Sequence, residues 1–230
     1  MFYFSFNNKN NINLGVEVVT RPSIPAPALR GDYIQVAGRD GSLFQTDGTY
    51  ENIEIAVQLN YFRPPNEWGD TYRRLKAWIN GPGVLRFSDD SEVFYKVKAS
   101  GISAMERKSR FGAVLEAVFI CEPFQYHDSG TAELTPEMAR FNPYYTARPI
   151  YYITGNGTAT LTVNGYPMTA IVGGNLTIDT DRMIAYRDNG TLENTSVTGD
   201  YDDLVLNPGE NTITITNGFT LKVKPNYRSL

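Results

Sequence analysis

Few residues of this sequence have the type and spacing that catalysis requires. The chain has one histidine, His127, and one cysteine, Cys121. Proton transfer or nucleophilic attack needs such a group beside a partner that activates it. His127 lies in a polar stretch, where we expect a solvated surface histidine. Cys121 ends the apolar run AVFIC at residues 117–121, which indicates a small core residue rather than a nucleophile.

Carboxylate pairs are the remaining candidates for chemistry, and all of them fall in predicted turns or strand ends, where Asp bonds its own backbone. None matches the spacing of a calcium-binding EF-hand loop, and a single His and a single Cys do not make a zinc site. No phosphate-loop or dinucleotide glycine pattern occurs. Spacing alone leaves open a carboxylate pair for glycoside hydrolysis, but nothing specifically favours it. We therefore expect no catalytic residue, no metal site, no cofactor and no enzymatic activity. The pairs are Asp89 with Asp90, Asp179 with Asp181, and Asp202 with Asp203.

Composition indicates a globular β protein without affinity for nucleic acid. The 230 residues include 20 glycines, 13 prolines, 15 tyrosines and 12 phenylalanines, which suit turns and pleated strands. The net charge is −4, and no basic arm or patch is present, which argues against a DNA-reading role. A neutral or acidic wall still suits a channel through which DNA passes. We see no signal peptide and no apolar stretch of membrane-spanning length, so no membrane insertion is expected.

Hydrophobic periodicity predicts strands and one helix in the first part of the chain. Apolar residues alternate with mostly polar ones over residues 53–61, which indicates a strand with one buried face. Residues 67–79 have helical spacing, with Asn66 as the expected N-cap and Gly81 followed by Pro82 as the stop signal. Residues 21–30 contain three prolines, which exclude a helix and a central strand. We expect an extended arm there, lying over a sheet edge or reaching a neighbour.

The composition changes after a polar, proline-containing stretch at residues 127–148. The remainder is rich in Thr, Asn and Gly and predicts short strands in a sandwich. Two Asn-Gly pairs, Asn164-Gly165 and Asn217-Gly218, each predict a hairpin turn. We predict a mostly β chain of two domains: residues 1–140, a barrel-like or sandwich-like β domain with one α-helix, and residues 141–230, a β-sandwich.

Both parts resemble the distal tail proteins of siphophages. The first part carries LRGDYIQVAGRDGSLFQTDGTYENIEIAVQLNY at residues 29–61. The second carries ARPIYYITGNGTATLTVNG at residues 147–165, LTIDT at residues 176–180 and LNPGENTITIT at residues 206–216. The two motif sets occur in the same order as in that family, and the resemblance extends over nearly the whole chain.

This resemblance implies a structural component of the phage tail tip or baseplate. In the family, the first domain is similar to tail-tube proteins, and six copies close into a ring around the DNA channel. The ring connects the tail tube protein to the tail-associated hub protein. The second domain is a galectin-like β-sandwich that in some phages supports receptor-binding proteins. The resemblance thus implies a homo-oligomer, hexameric in the family, located at the tail tip of the virion and synthesised in the bacterial host cytoplasm from a phage or prophage gene.

We predict the inter-subunit contacts of such a ring in two segments, the proline-rich arm at residues 21–30 and the turn region at residues 37–48. An arm that cannot join its own sheet centrally is suited to gripping a neighbour. The interface candidates are Arg21, Pro22, Pro25, Pro27, Arg30, Gly38, Arg39, Asp40 and Gly41.

A carbohydrate-binding accessory module acting in host adsorption is the alternative function. Galectin-like modules bind sugars, and the second domain is rich in aromatic residues. Sugar stacking often uses an exposed Trp, however, and both tryptophans, Trp68 and Trp78, fall in the predicted helix. Tyr151, Tyr152 and Tyr186 lie on predicted strands, where core or edge positions account for them.

Overall fold

The computed structural model describes residues 2–230. The chain divides into two units, the first running to Gln125 and including Leu230, the second covering Tyr126–Ser229. Strands make up 53% of the residues and helical segments 13%, with one main helix. This confirms the prediction of a mostly β chain with one α-helix.

The first unit contains ten strands and the main helix. In chain order they are β1 (Phe4–Phe6), β2 (Lys9–Asn10), β3 (Glu17–Val18), β4 (Leu29–Gln35), β5 (Ser42–Tyr50), β6 (Ile53–Phe62), α1 (Trp68–Trp78), β7 (Gly83–Phe87), β8 (Asp90–Ile102), β9 (Glu106–Arg107) and β10 (Gly112–His127). Short 3-10 turns occupy Ile12–Leu14 and Pro65–Glu67. One curled sheet has the order β2-β1-β7-β8-β10-β6-β3, with β9 beside β10. Strands β4 and β5 pair only with each other, as a separate two-stranded sheet.

The alternation predicted at residues 53–61 forms β6. Alternate residues from Ile53 to Tyr61 are buried, and the strand pairs antiparallel with β10 from Ile53 opposite Cys121 to Phe62 opposite Gly112. Burial of one face of this strand accounts for its period of two.

Helix α1 covers the inner face of that sheet. Trp68, Tyr72, Leu75 and Ile79 fall at helical spacing, which predicts one packed face; all are buried except Tyr72, which is half-buried. Trp78 donates from Nε1 to the carbonyl oxygen of Phe6 at 2.8 Å. The N-cap prediction is wrong: the residue before the helix is Glu67, and no side chain caps it. The prolines begin a 3-10 turn that extends through Asn66 to Glu67, so Asn66 is itself inside a helical turn.

The second unit contains nine strands and one short helix. They are α2 (Pro136–Ala139), β11 (Phe141–Asn142), β12 (Ile150–Val163), β13 (Tyr166–Asp179), β14 (Ile184–Tyr186), β15 (Val197–Thr198), β16 (Gly209–Glu210), β17 (Ile213–Ile215), β18 (Thr220–Lys224) and β19 (Arg228–Ser229). Further 3-10 turns occupy Asp128–Gly130, Asn194–Ser196 and Asp202–Leu204. The main sheet has the order β14-β13-β12-β17, with β15 beside β13 and β18 beside β12, and β11 pairs with β16.

One predicted hairpin is confirmed and the other is wrong. Asn164 and Gly165 connect β12 to β13 with φ values of 51° and 88°, the left-handed pair that a tight hairpin turn needs. Around Asn217-Gly218 the two strands do not pair with each other. Both pair with β12 instead, β17 with residues 161–163 and β18 with residues 150–154. Strand β12 is long enough for β17 and β18 to pair with it one after the other. The connection between β17 and β18 therefore runs along the edge of β12 instead of reversing into a hairpin.

The predicted domain boundary, between residues 140 and 141, lies inside the second unit. Leu134 exchanges both backbone hydrogen bonds with Val223 at 2.8 Å, and Ala139 is fully buried in the core of that unit. The polar composition of residues 127–148 therefore marks an ordered segment of the second unit rather than a linker. Within residues 2–230, no helix is long and apolar enough to cross a membrane.

Candidate functional site: a projecting hairpin and its arm

The hairpin formed by β4 and β5 is the most exposed ordered element of the first unit. Its strands pair from Gly31 opposite Thr46 to Gln35 opposite Ser42, and every residue of both strands is exposed except Tyr50, which is half-buried. It pairs with no strand of the curled sheet. An isolated two-stranded hairpin is marginally stable in water, because it has no core on which to pack.

Apolar side chains occupy both faces of this hairpin. Tyr33 and Phe44 lie opposite each other on one face, with ring centroids 4.9 Å apart, and Tyr33 is 75% exposed. Ile34 and Leu43 form the facing pair on the other side, each slightly over 40% exposed. A hairpin that only extends into solvent would carry polar residues on at least one face. The hairpin therefore exposes apolar residues on both of its faces.

The tip of the hairpin is a tight turn that presents two opposite charges. The amide of Arg39 bonds the carbonyl oxygen of Val36, and Gly38 has a φ of 79° at the third turn position, which matches a type II turn. Gly41 also has a positive φ, and a Cβ added at either glycine would have open space around it. Arg39 and Asp40 are both exposed. Within residues 2–230, no ion pair involves Arg39.

The base of the hairpin is closed by backbone and side-chain bonds. The amide of Glu51 donates to the carbonyl oxygen of Ala28 at 2.8 Å, and Arg30 donates from Nε to a carboxylate oxygen of Glu51, also at 2.8 Å. That bond raises the pKa of Arg30, and hydrogen bonds from Thr49 lower the pKa of Asp47. These contacts hold the two strand ends side by side where the hairpin leaves the unit.

The proline-rich arm lies over the curled sheet before it reaches the hairpin. It begins after Val19, whose amide bonds the carbonyl oxygen of Gln58 at 2.9 Å. Arg21 forms an ion pair with Asp89 at 3.3 Å, and its guanidinium lies 5.3 Å from the ring centroid of Phe2. Pro22 lines a cavity of about 170 Å³ beside that ion pair, which we call the arm cavity.

The nine interface candidates from the sequence thus fall into two separate groups. Arg21, Pro22, Pro25 and Pro27 belong to the arm, and Gly38 to Gly41 form the hairpin tip, while Arg30 lies at the hairpin base. The structure does not bring the arm and the tip together within one chain. Sequence reasoning missed the apolar residues of the hairpin strands. The signal was present in apolar residues at adjacent positions, Tyr33-Ile34 and Leu43-Phe44, which no one-faced strand explains.

The residues considered for catalysis have structural partners. Cys121 is fully buried, and burial raises the pKa of its thiol to about 12. The prediction of a solvated His127 is wrong: its ring stacks on Tyr144 at 3.7 Å, and its Nε2 lies 2.7 Å from the hydroxyl oxygen of Ser229. Asp179 accepts hydrogen bonds from the backbone amides of Asp181 and Arg182, as a carboxylate in a turn does. In residues 2–230, no three His, Cys, Asp or Glu residues are grouped closely enough to hold a metal ion.

Three tyrosines that were considered for sugar stacking, Tyr151, Tyr152 and Tyr186, occupy the core and edge positions expected for them. Tyr151 is fully buried, and its hydroxyl donates to the carbonyl oxygen of Leu204 at 2.8 Å. Tyr152 and Tyr186 are half-buried on strands β12 and β14. Burial raises the pKa of all three phenols. Their packing accounts for them without a bound sugar.

Comparison with known proteins places this fold in a definite structural class. A curled sheet with one helix and a separate hairpin, followed by a second β unit, is a fold that also occurs in a solved phage protein. The whole chain superimposes on the whole of the SPP1 Dit protein (gp 19.1), with a TM-score of 0.69 and 13% sequence identity. SPP1 Dit is a paradigm of the hub adsorption apparatus of phages that infect Gram-positive bacteria. At this identity the likeness shows the fold. No family model and no curated protein matches the sequence.

Proposed function

We propose that this protein is a non-enzymatic structural component of a phage tail tip or baseplate. In this role, copies of the chain form a ring, hexameric as the family resemblance implies, that joins the tail tube protein to the tail-associated hub protein. The second unit is available to support a receptor-binding protein. The end-to-end likeness to SPP1 Dit, a hub adsorption protein, supports a role in the tail. The proposed location is the tail tip of the virion, after synthesis in the host cytoplasm.

The main support for a ring is the β4–β5 hairpin, which exposes apolar residues on both of its faces. Among residues 2–230, its strands pair with no strand of the curled sheet and add no buried residue to the core, and Tyr33, Ile34, Leu43 and Phe44 are exposed on both of its faces. A closed ring is built from heterologous contacts, in which one surface of each copy meets a different surface of the next. A projecting element at one place and a receiving surface at another meet that requirement.

The charge of the chain suits a ring through which DNA passes. The net charge is −4, and the 25 acidic residues outnumber the 21 basic ones. A strongly basic channel would hold the phosphate backbone through counterion release, and the DNA would then resist movement. Passage without specific binding therefore agrees with this composition.

Replacing the hairpin tests the proposal directly. The amide of Glu51 and the carbonyl of Ala28 are hydrogen-bonded, so a short Gly-containing turn can join residues 28 and 51 without strain. We expect this variant to fold with nearly unchanged thermal stability, because the hairpin adds nothing to the core. Sedimentation should show it as a monomer at concentrations where the intact chain forms rings. Rings of normal size from the variant would remove the hairpin from the assembly.

Altering a turn of the second unit provides the matched control. Its β12–β13 turn at Asn164-Gly165 carries no two-faced apolar surface. Replacement of these two residues by Gly-Gly should leave ring formation unchanged. Loss of rings in both variants would indicate a general effect of altered turns rather than a specific hairpin contact.

A further inference from the structure

The arm cavity is the candidate receiving surface for a hairpin tip. Its floor is aromatic: Phe87 stacks with Phe2 at 5.9 Å and contacts Tyr95 edge-on at 6.0 Å. Phe87 and Tyr95 are buried, yet Ile24 on the arm side of the cavity is 42% exposed. The volume of about 170 Å³ is below the roughly 300–1,000 Å³ typical of small-molecule sites. The cavity is therefore of a size for one long side chain.

The rim of the arm cavity carries a net negative charge. Asp89 is paired with Arg21 at 3.3 Å, which leaves Asp90 as the rim carboxylate without an ion pair in residues 2–230. Two carboxylates and one guanidinium give the rim a net charge of −1. Tyr95 accepts a hydrogen bond from Gln125 at 2.7 Å, and burial raises the pKa of its phenol to about 12, so its hydroxyl stays protonated. An apolar floor below a net negative rim suits the aliphatic stem and cationic head of an arginine.

The hairpin tip carries charges opposite in sign to those on the rim of the arm cavity. Arg39 is a guanidinium without an ion partner in residues 2–230, and Asp40 follows it. With Arg39 directed at Asp90, the neighbouring Asp40 can face Arg21, whose side chain is 68% exposed. Each charge of the tip then meets an opposite charge of the rim.

We propose that the tip of one copy inserts Arg39 into the arm cavity of a second copy, where it pairs with Asp90 and lies over Phe87 and Tyr95. This inference rests on the proposed ring and names its receiving surface. It also explains why the arm and the tip are both exposed in one chain, since the arm of each copy receives the tip of the next. The two groups of residues are the two halves of one heterologous contact.

Site-directed cross-linking tests the pairing even where assembly is weak. Arg39→Cys and Asp90→Cys are prepared as separate full-length proteins, mixed, and treated with a short bis-maleimide. We expect a cross-linked dimer that contains one copy of each variant. The unmodified chain is the blank, because Cys121 is fully buried. Glu92→Cys replaces Asp90→Cys as the matched control, since Glu92 is exposed at the start of the same strand but does not line the cavity.

Charge exchange tests the energetics of the same contact. Like charges brought together at an interface cost enough that Arg39→Asp and Asp90→Arg should each raise the concentration for half-assembly by about tenfold or more. The double variant Arg39→Asp/Asp90→Arg should return to within about threefold of the unmodified chain, because the pair is restored with reversed sign. Glu92→Arg should leave assembly unchanged.

The outcomes separate this inference from the proposed function. Cross-linking at Asp90 but not Glu92, together with rescue by the double variant, supports the inference. Normal rings in all variants, with no cross-link, would overturn the tip contact and leave the ring in place. An unmodified chain that stays monomeric at every concentration and gives no cross-link would contradict both.

Discussion

Cys121 and His127, the residues whose types are best suited to catalysis, both pack against other side chains of the chain. Cys121 lies on β10 in the core of the first unit, and its place in an apolar run made this predictable from sequence. The environment of His127 was not predictable, because Tyr144 and Ser229 lie far from it in sequence. Sequence patterns report on a residue's neighbours along the chain. They do not report on partners brought in by the fold.

Because Cys121 is fully buried, we predict that its thiol is unreactive in the folded protein. The thiolate is the reactive form, and burial raises the pKa of this thiol to about 12. We expect no reaction with a disulfide reagent such as Ellman's reagent at pH 8 in the folded protein, and one equivalent after unfolding in guanidinium. Because the pKa of the Cys121 thiol is higher in the folded state than in the unfolded state, the thiol contributes to the free energy of unfolding at pH values below its unfolded pKa. This contribution to stability is lost as the pH rises towards 12. Rapid labelling of the native protein at pH 8 would show that the core is open at this position.

Among the elements, those with one buried face were identified by their periodicity, whereas the hairpin was indicated only by adjacent apolar residues. Strand β6 has a strict alternation because one face is buried, and helix α1 shows the matching helical spacing. The β4–β5 hairpin has apolar residues on both faces, so no period of two identifies it. The pairing of β17 and β18 with β12 was also hidden, since a turn signal predicts a reversal but not the strand that each segment joins.

Gly31 allows a specific test of the hairpin as an element. A Cβ atom at this position would lie 2.4 Å from the carbonyl oxygen of Gln45 and 2.7 Å from the ring of Phe44. Gly31→Ala should therefore distort the hairpin and weaken assembly, while the melting temperature stays within about 2 °C because the core is untouched. Gly101→Ala is the control, since a Cβ there has no other atom within 4 Å. Equal assembly by both variants in light scattering would mean that the hairpin geometry is not needed.

At the scale of the whole molecule, the resemblance predicted the fold, but composition misplaced the boundary of the second unit. The mostly β architecture and the single main helix agree with the structure. The polar composition before residue 141 indicates a connection, although Leu134 pairs with Val223 and Gly130 packs against the backbone of Tyr227. The ordering of this segment depends on contacts with the C-terminal strands, which are distant in sequence.

Two fragments test this boundary. The fragment of residues 126–229 should unfold cooperatively, because it keeps the whole unit. The fragment of residues 141–229 loses the Leu134–Val223 bonds and the buried Ala139, and its free energy of unfolding should be lower by at least about 2 kcal/mol. Urea denaturation followed by tyrosine fluorescence measures both. Equal stability of the fragments would place residues 126–140 outside the folded unit.

We infer that this chain closes into a ring through its hairpin, and negative-stain imaging of the purified full-length protein would show such rings. Over a concentration series, we predict rings with an open centre and six-fold symmetry in the averaged images, absent from the hairpin-replacement variant. Single compact particles at every concentration, from a chain whose hairpin is intact and folded, would contradict the claim.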